Sequence, residues 1–273
     1  MPTIRSQPRS ATVDVATGVR LHYMEQGDPN GEVIVFVHGW PDSWYSFSRV
    51  LHHLPERYHA YALDLRGFGR SDRPADGYTI DDLAADVVAF LDAVDVDRAT
   101  LVGHSMGTFV ARRAAQMAPD RTVALVLIGS AESTTNAVMR EVRALLTELP
   151  DPVPVDFARE FQAGTVHVRL PDAFFDGIVA ESAAIPARVW RRTFDGILAF
   201  DDRSELARIG APTLVIWGEH DGLFDREQQE RLTRRIPGAR LRVYPDAGHC
   251  PNWEQPRRVA DDVVAFLGSA TRS

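Results

Sequence analysis

The sequence predicts an α/β fold in which a mostly parallel β-sheet is flanked by helices. Short apolar runs alternate with helical patterns along most of the chain. This alternation is typical of a parallel sheet, in which a crossover helix connects each strand to the next. The run at residues 33–37 is apolar at every position, as in a strand that is buried on both faces. The alternation stops over residues 130–207, where helical patterns continue without a clear strand. We therefore expect a sheet core of residues 1–129 and 208–273 with an inserted helical cap, residues 130–207.

The individual elements follow from the local patterns. Residues 11–15 and 20–25 flank a turn at Thr17 and Gly18 and predict an antiparallel hairpin. Further strands are predicted at residues 33–37, 59–63, 99–103, 123–128, 212–217 and 240–244. Helices are predicted at residues 79–94, after strand 99–103 as far as about Met117, and at residues 256–267.

The composition of the chain disfavours several classes of function. The formal charge is −8 and the arginines are scattered among acids, which disfavours nucleic acid and anionic membranes as partners. No apolar run approaches the roughly 20 residues of a membrane-spanning helix, and the first residues lack the apolar stretch of a signal peptide. A single cysteine, Cys250, excludes an internal disulfide and a cysteine-based metal site. We expect a cytoplasmic protein without metal or cofactor, and the sequence is compatible with a homo-oligomer.

The most informative motif is Gly-His-Ser-Met-Gly at residues 103–107. It joins a predicted strand to a predicted helix, and a serine on such a tight turn holds its hydroxyl clear of neighbouring side chains. Gly103 and Gly107 permit the strained turn and the close approach of strand and helix, which Cβ atoms would obstruct. Ser105 is therefore the candidate nucleophile.

A serine hydroxyl is a weak nucleophile at neutral pH and needs a base that is itself held in place. His249 follows the last predicted strand and is the candidate base, and Asp221 follows the preceding strand and is the candidate orienting acid. With Ser105 they lie at the carboxyl ends of parallel strands, in the chain order of a nucleophile-elbow hydrolase. Glu132 is a second candidate for the acid, but Asp221 is preferred.

The segment His-Gly-Trp-Pro at residues 38–41 directly follows the strand at residues 33–37. Attack on a carbonyl group develops negative charge on oxygen, which fixed backbone N–H groups stabilise. We expect the backbone N–H groups of Trp40 and Met106 to form this oxyanion hole. His38 and His104 are interpreted as structural histidines that brace loops, and Cys250 as a packing residue.

Five segments together resemble the α/β-hydrolase fold family over nearly the whole chain. They are residues 38–41, 64–72, 103–107, 218–221 and 248–249. The resemblance implies an eight-stranded, mostly parallel sheet with a helical cap after the sixth strand. This agrees with the helical interruption at residues 130–207.

Residues 38–46 also resemble the oxyanion loop of epoxide hydrolases and dehalogenases of this fold, enzymes that attack carbon with an aspartate. Here the elbow residue is Ser105. A serine that opened an epoxide would leave an ether, which water and histidine cannot hydrolyse, whereas a carboxylate leaves an ester. Ser105 therefore favours acyl transfer, and the predicted substrate is a small-molecule ester or lactone that is cleaved through an acyl-enzyme.

Three alternative functions stay open. Residues 248–254 resemble the histidine loop of enzymes that hydrolyse a carbon–carbon bond in β-diketones or meta-cleavage products. Residues 38–41 and 103–107 are also similar to those of cofactor-free haloperoxidases and perhydrolases, in which peroxide meets the acyl-enzyme. The third alternative is a small-molecule receptor, because some proteins of this fold keep a triad and act as receptors.

The predicted cap contains several aromatic residues, and some of them should face the cleft. We therefore expect a medium-sized, apolar or aromatic substrate. The candidate walls of the substrate site are Trp44, Phe157, Phe161, Trp190 and Leu223.

Overall fold

The computed structural model describes residues 8–270 of the chain. The strands in this range are β1 (Arg9–Asp14), β2 (Arg20–Gly27), β3 (Glu32–Val37), β4 (Tyr58–Leu63), β5 (Ala99–His104), β6 (Thr122–Ile128), β7 (Thr213–Gly218) and β8 (Arg240–Tyr244). The helices are α1 (Ser48–His53), α2 (Ile80–Ala93), α3 (Met106–Met117), α4 (Ala137–Thr147), α5 (Val155–Ala163), α6 (Asp172–Ala183), α7 (Ala187–Ala199), α8 (Arg226–Arg235), α9 (Pro251–Glu254) and α10 (Pro256–Ala270). None of these helices is long and apolar enough to cross a membrane.

The strands form one eight-stranded sheet within the described residues, in the order β1-β2-β4-β3-β5-β6-β7-β8. β1 and β2 form the predicted antiparallel hairpin, in which Val13 lies opposite Leu21. β2 is also antiparallel to β4, and the remaining neighbours pair in parallel. The predicted fold, an eight-stranded and mostly parallel sheet flanked by helices, is confirmed.

The sheet separates two apolar layers, because successive side chains of a strand point to opposite faces. Along β3, Val35 and Val37 pack into the layer that contains α2 and α3, whereas Ile34 and Phe36 pack into the layer that contains α1 and α10. Because β3 to β8 are paired in parallel, their carboxyl ends lie at one edge of this two-sided core.

Three helices, α1, α8 and α9, were not predicted from the sequence, and none of them has an apolar stripe. α1 has only 6 residues and α9 has only 4. In α8 the buried residues are Gln228, Gln229 and Leu232, and the Gln229 side-chain amide donates to Ser130 O at 2.6 Å. A helix that is buried through glutamines shows no apolar periodicity in its sequence.

Helices α4 to α7 lie between β6 and β7 in the chain and pack in pairs, α5 on α6 and α4 on α7. α7 also rests directly on the core. A Cβ on Gly196 would lie 2.3 Å from Tyr78 O, and the Arg188 guanidinium donates to the backbone oxygens of Arg73 and Pro74. The inserted helices are thus fixed against the loop that follows β4.

Candidate active site

Ser105 occupies a sharp turn between β5 and α3. Its φ is 50° and its ψ is −119°, a conformation that residues other than glycine rarely adopt. A Cβ on Gly103 would lie 2.3 Å from Gly107 O, and a Cβ on Gly107 would lie 2.1 Å from Val37 O. Both glycines are therefore needed for the close backbone approach on which this turn depends.

The structure brings Ser105, His249 and Asp221 together. His249 Nε2 lies 2.8 Å from Ser105 Oγ, and His249 Nδ1 lies 2.8 Å from Asp221 Oδ2. A carboxylate oxygen only accepts, so Nδ1 carries the proton and Nε2 is left to accept the hydroxyl proton of Ser105. The second oxygen of Asp221 accepts from the backbone N–H groups of Leu223 and Phe224 at 2.8 and 3.1 Å, which orients the carboxylate.

Glu132, the second candidate for the acid, points elsewhere. Its carboxylate accepts hydrogen bonds from Arg231, at 2.8 Å, and from Arg235, both on α8. Asp221 is the carboxylate that is hydrogen-bonded to His249. The assignment of the acid to Glu132 therefore has no geometric support.

The segment at residues 38–41 lies against the elbow. A Cβ on Gly39 would lie 3.1 Å from Ser105 Cβ. The backbone directly before Trp40 therefore adjoins the candidate nucleophile. Met106 is the first residue of α3, and first-turn N–H groups have no acceptor within their helix. The N–H groups predicted for the oxyanion hole thus belong to two segments that meet beside Ser105.

The side chain of His38 holds this segment in place through hydrogen bonds. Its Nδ1 donates to Gly39 O at 2.7 Å, and its Nε2 accepts from the backbone N–H of Leu65 at 3.0 Å. The two contacts use both nitrogens of a neutral ring, and burial lowers the pKa of His38. His38 therefore links the segment at residues 38–41 to the loop that follows β4.

His104 precedes the nucleophile and is buried beside it. Its Nε2 donates to the backbone oxygen of His249 at 3.2 Å, and burial lowers its pKa. Its Nδ1 has no hydrogen-bond partner within residues 8–270, and the nearest carboxylate oxygen, Asp42 Oδ2, is 3.8 Å away. His104 holds the loop of the candidate base with one nitrogen only.

Glu254 ties the loop of the candidate base to the inserted helices. Its carboxylate accepts from the backbone N–H groups of Gly248, His167 and Val168 at 2.8, 2.9 and 3.0 Å. Burial raises the pKa of Glu254. Because residues 167 and 168 follow α5, this one side chain joins the segment between α5 and α6 to the residue before His249.

Cys250 is buried and lies next to Thr165, with Sγ 3.3 Å from Thr165 Oγ1. Burial raises the pKa of the Cys250 thiol well above its usual range, so the thiol stays neutral. A neutral thiol is a poor nucleophile, which fits the interpretation of Cys250 as a packing residue. Across the described part of the chain, no group of three or more His, Cys, Asp and Glu side chains is placed to hold a metal ion.

A cavity adjoins Ser105 and His249, and apolar side chains form most of its wall. Helices α4, α5 and α7 of the insertion contribute to it together with α3 and the loop after β7. The main apolar residues of the wall are Phe109, Met139, Phe161, Phe194, Ile197 and Phe224.

Two of the predicted walls, Phe161 and Leu223, line this cavity, whereas Trp44, Phe157 and Trp190 do not. Trp190 is fully buried behind Trp40, with ring centroids 5.1 Å apart, and Phe157 packs on Trp190 at 5.8 Å. Trp44 packs on the ring of its neighbour Tyr45. The composition of residues 130–207 showed that aromatic side chains were available, but the direction of each side chain depends on how the helices pack.

Three polar residues of the wall were missed by sequence reasoning: Asp42, Gln162 and Thr165. Asp42 follows the motif at residues 38–41 by one position, so its place beside that motif was the available signal. Gln162 and Thr165 come from the end of α5 and the turn after it, and no motif marks them. They reach the site only because α5 packs over the sheet edge.

A sequence profile of the alpha/beta hydrolase fold matches residues 32–256. The non-heme chloroperoxidase of Streptomyces lividans is 29% identical to this chain over 94% of the chain and 99% of its own length. Epoxide hydrolase 1 of Caenorhabditis elegans is 25% identical over 91% of the chain and 68% of its own length. The solved structure of an esterase from Exiguobacterium antarcticum has a TM-score of 0.88 and 23% identity, covering 95% of this chain and 100% of the esterase. The chain belongs to the α/β hydrolase fold family and is a hydrolase enzyme.

Proposed function

We propose that this enzyme is a serine hydrolase that cleaves a carboxylic ester or a lactone through an acyl-enzyme at Ser105. The observation that carries the proposal is the continuous chain of hydrogen bonds from Ser105 Oγ through both nitrogens of His249 to Asp221, with both distances 2.8 Å. Such a chain activates a hydroxyl nucleophile and keeps the imidazole in the tautomer that accepts its proton.

In the proposed mechanism His249 Nε2 takes the hydroxyl proton while Ser105 Oγ attacks the carbonyl carbon. The N–H groups of Trp40 and Met106 stabilise the oxyanion, each by about 3 kcal/mol as judged from single-donor deletions in other enzymes. His249 returns the proton to the leaving oxygen, and the acyl group stays on Oγ. A water that loses its proton to His249 then releases the acid and restores Ser105.

We further propose that residues 130–207 form a cap over a core of residues 1–129 and 208–273. In support, α4 to α7 interrupt the strand order between β6 and β7, and three of these four helices contribute apolar side chains to the cavity beside Ser105. An apolar wall binds the carbon skeleton of a substrate and leaves its polar carbonyl to the triad. A medium-sized, apolar or aromatic ester or lactone matches a site with an apolar wall and a polar triad.

Relatives of this chain include epoxide hydrolases, and the identity of residue 105 argues against that reaction here. Ring opening by Ser105 would leave an ether on Oγ, and no step of the triad hydrolyses an ether. An acyl group on the same oxygen is an ester, which water and His249 do cleave.

The test is ester turnover by the wild type and by Ser105→Ala. With 4-nitrophenyl butyrate we expect a burst of nitrophenol followed by steady turnover, and loss of both in Ser105→Ala. A fluorophosphonate should phosphonylate Ser105 with release of fluoride, and the mass of the phosphonyl group should appear on the wild type and on the exposed control Ser204→Ala, but not on Ser105→Ala. Turnover that survives in Ser105→Ala would contradict the proposal, as would saturable ligand binding without turnover of esters, lactones or β-diketones.

A second candidate reaction is favoured by the similarity to the Streptomyces lividans chloroperoxidase. An acyl-enzyme formed from a carboxylic acid would be attacked by hydrogen peroxide, which releases Ser105 and a peroxy acid that oxidises halide. Bromination of monochlorodimedone should then require both carboxylic acid and peroxide and be lost in Ser105→Ala. Bromination without a carboxylic acid would rule out this route.

A further inference from the structure

A polar patch interrupts the apolar wall next to Ser105. Asp42 and His104 both line the cavity, and each is only 2% exposed. A Cβ on Gly39 would lie 2.9 Å from His104 Nδ1, 3.1 Å from Ser105 Cβ and 3.2 Å from Asp42 Oδ2. These three atoms therefore lie next to one another around Gly39, and the patch adjoins the candidate nucleophile directly.

Both facing atoms of the patch are hydrogen-bond acceptors. His104 Nε2 donates to the backbone oxygen of His249, so in the neutral ring Nδ1 carries a lone pair. Asp42 Oδ1 accepts from the side-chain amide of Gln162 at 3.0 Å, and Oδ2 is turned towards His104 Nδ1 at 3.8 Å, beyond hydrogen-bond length. Within residues 8–270 no arginine or lysine pairs with Asp42, and His104 Nδ1 has no partner. A carboxylate oxygen and an imidazole lone pair thus face each other at 3.8 Å, which is too far for a hydrogen bond between the two groups.

Two buried acceptors in this arrangement are complementary to a donor, because an unpartnered buried acceptor costs free energy that a donor recovers. We infer that Asp42 and His104 form a subsite for a hydrogen-bond donor of the substrate, a hydroxyl or amino group on the carbon next to the scissile carbonyl. The inference rests on the proposed acyl transfer at Ser105. The leaving oxygen of the ester has to face His249 Nε2 to receive its proton. The alcohol side of the ester therefore points towards His249, and the acyl side, beginning with its α-carbon, points towards Asp42.

The substrate class follows from the two kinds of wall. The donor on the α-carbon would lie beside Asp42 and His104, and the rest of the acyl group would pack against Phe161 and the other apolar side chains of the cavity. The enzyme should therefore prefer esters of α-hydroxy or α-amino acids that carry an aromatic or aliphatic side chain.

The first test compares three esters on the wild-type enzyme: methyl mandelate, methyl phenylacetate and methyl α-fluorophenylacetate. They share one skeleton and differ in whether the α-substituent donates a hydrogen bond. Liquid chromatography measures the acid that each ester releases. We expect kcat/KM for mandelate to exceed that for phenylacetate by about 10-fold or more, because one hydrogen bond to a charged acceptor has an effect of this size. The fluoro ester withdraws electrons but donates nothing, so a gain equal to that of mandelate would overturn the inference.

The second test is Asp42→Asn. The asparagine Oδ1 can still accept from Gln162, while Nδ2 replaces Oδ2 and can donate to His104 Nδ1. The variant should therefore fold with a melting temperature no lower than that of the wild type, and its ratio of mandelate to phenylacetate kcat/KM should fall to near 1. The control Asp172→Asn removes the same charge from a side chain that is 74% exposed and should keep the wild-type ratio.

Ser105→Ala separates the two proposals. If the variant still hydrolyses all three esters, the acyl transfer at Ser105 is wrong. If Ser105→Ala is inactive but the wild-type ratio is near 1, or Asp42→Asn leaves a high ratio unchanged, only the subsite is wrong.

Discussion

Asp221 decides which nitrogen of His249 carries the proton. Its Oδ2 accepts from His249 Nδ1, and its Oδ1 accepts from two backbone N–H groups, so both oxygens of the carboxylate are engaged. In Asp221→Asn the amide oxygen would keep those backbone contacts and the NH₂ group would face His249. The imidazole would then have to accept at Nδ1 and carry its proton at Nε2, which cannot deprotonate a serine.

We expect Asp221→Asn to lower kcat for 4-nitrophenyl butyrate by about 10³- to 10⁴-fold, as loss of the correct tautomer does in another triad enzyme. Stopped-flow and steady-state assays measure the change. The matched control is Glu132→Gln, which alters a carboxylate bound to arginines of α8 and should keep kcat within about threefold. A large loss in Glu132→Gln with normal activity in Asp221→Asn would reverse the assignment.

His38 and His104 are buried in opposite tautomers. Their partners require the proton on Nδ1 of His38 and on Nε2 of His104. Burial lowers the pKa of both rings below the ordinary value of 6.5. The folded protein therefore binds these protons less tightly than the unfolded chain, so the stability that both rings contribute is complete above pH 6.5 and is lost as the pH falls below it.

Long-range ¹H–¹⁵N spectra of the imidazole groups test this directly. We expect two neutral rings of opposite tautomer that stay neutral at pH 6, where an unperturbed histidine is mostly protonated. Protonation of either ring at or above pH 6.5, or the same tautomer in both, would contradict the hydrogen-bond assignment.

At the scale of elements, the turn between β5 and α3 depends on how closely α3 approaches β3. A Cβ on Gly107 would lie 2.1 Å from Val37 O, so α3 could not keep its distance from the sheet. We expect Gly107→Ala to lower the free energy of unfolding by about 1–3 kcal/mol, as overpacking does, and to reduce activity with it. Chemical denaturation measures the loss. Gly210→Ala is the control, since a Cβ there meets nothing within 4 Å, and an equal loss in both variants would remove the steric explanation.

The loop that carries His249 is held to the inserted helices as well as to the sheet. Thr165 O accepts from the backbone N–H of His249 at 2.9 Å, and Glu254 accepts from three further N–H groups on both sides of the contact. The position of the base thus depends on the segment between α5 and α6. A glutamine at residue 254 would turn an N–H donor towards at least one of these N–H groups.

We expect Glu254→Gln to lower kcat by about 10-fold, because a base displaced by a fraction of an ångström transfers protons poorly. The melting temperature should fall as well, since buried N–H groups lose their acceptor. Glu160→Gln, which changes an exposed side chain of α5, is the control. Normal kcat in Glu254→Gln would show that the hydrogen bonds accepted by Glu254 do not position His249.

At the scale of the whole molecule, the sheet edge supplies the polar site and the inserted helices supply much of the apolar wall. Phe161 stands on the wall of the cavity, whereas Phe157, one turn earlier on α5, packs against Trp190. These two residues therefore allow a matched comparison of substrate binding with packing.

For 4-nitrophenyl esters we expect kcat/KM to rise from acetate to hexanoate, by roughly threefold per methylene that is buried. Phe161→Ala should weaken this dependence on chain length, and Phe157→Ala should lower stability while leaving the dependence unchanged. A steady fall in kcat/KM from acetate to hexanoate would show that the cavity does not receive the acyl chain.

The fold and the residues of the candidate triad could both be predicted from local patterns of the amino-acid sequence. Ser105, Asp221 and His249 each follow a strand, and the ends of parallel strands meet at one edge, so local patterns were enough to predict their proximity. The same reasoning predicted the hairpin and the position of the helical insertion. It missed α8, whose buried face is largely glutamine and therefore carries no apolar signal.

Tertiary packing selects which side chains of the inserted helices reach the site. Trp190 and Phe161 are both aromatic and both on helices, yet one is buried behind Trp40 and the other lines the cavity. That Asp42 lies close to His104, 62 residues later in the chain, could not be predicted from the sequence either. The direction of a helix face and the meeting of two loops depend on packing between distant segments, and no local pattern of the sequence records that packing.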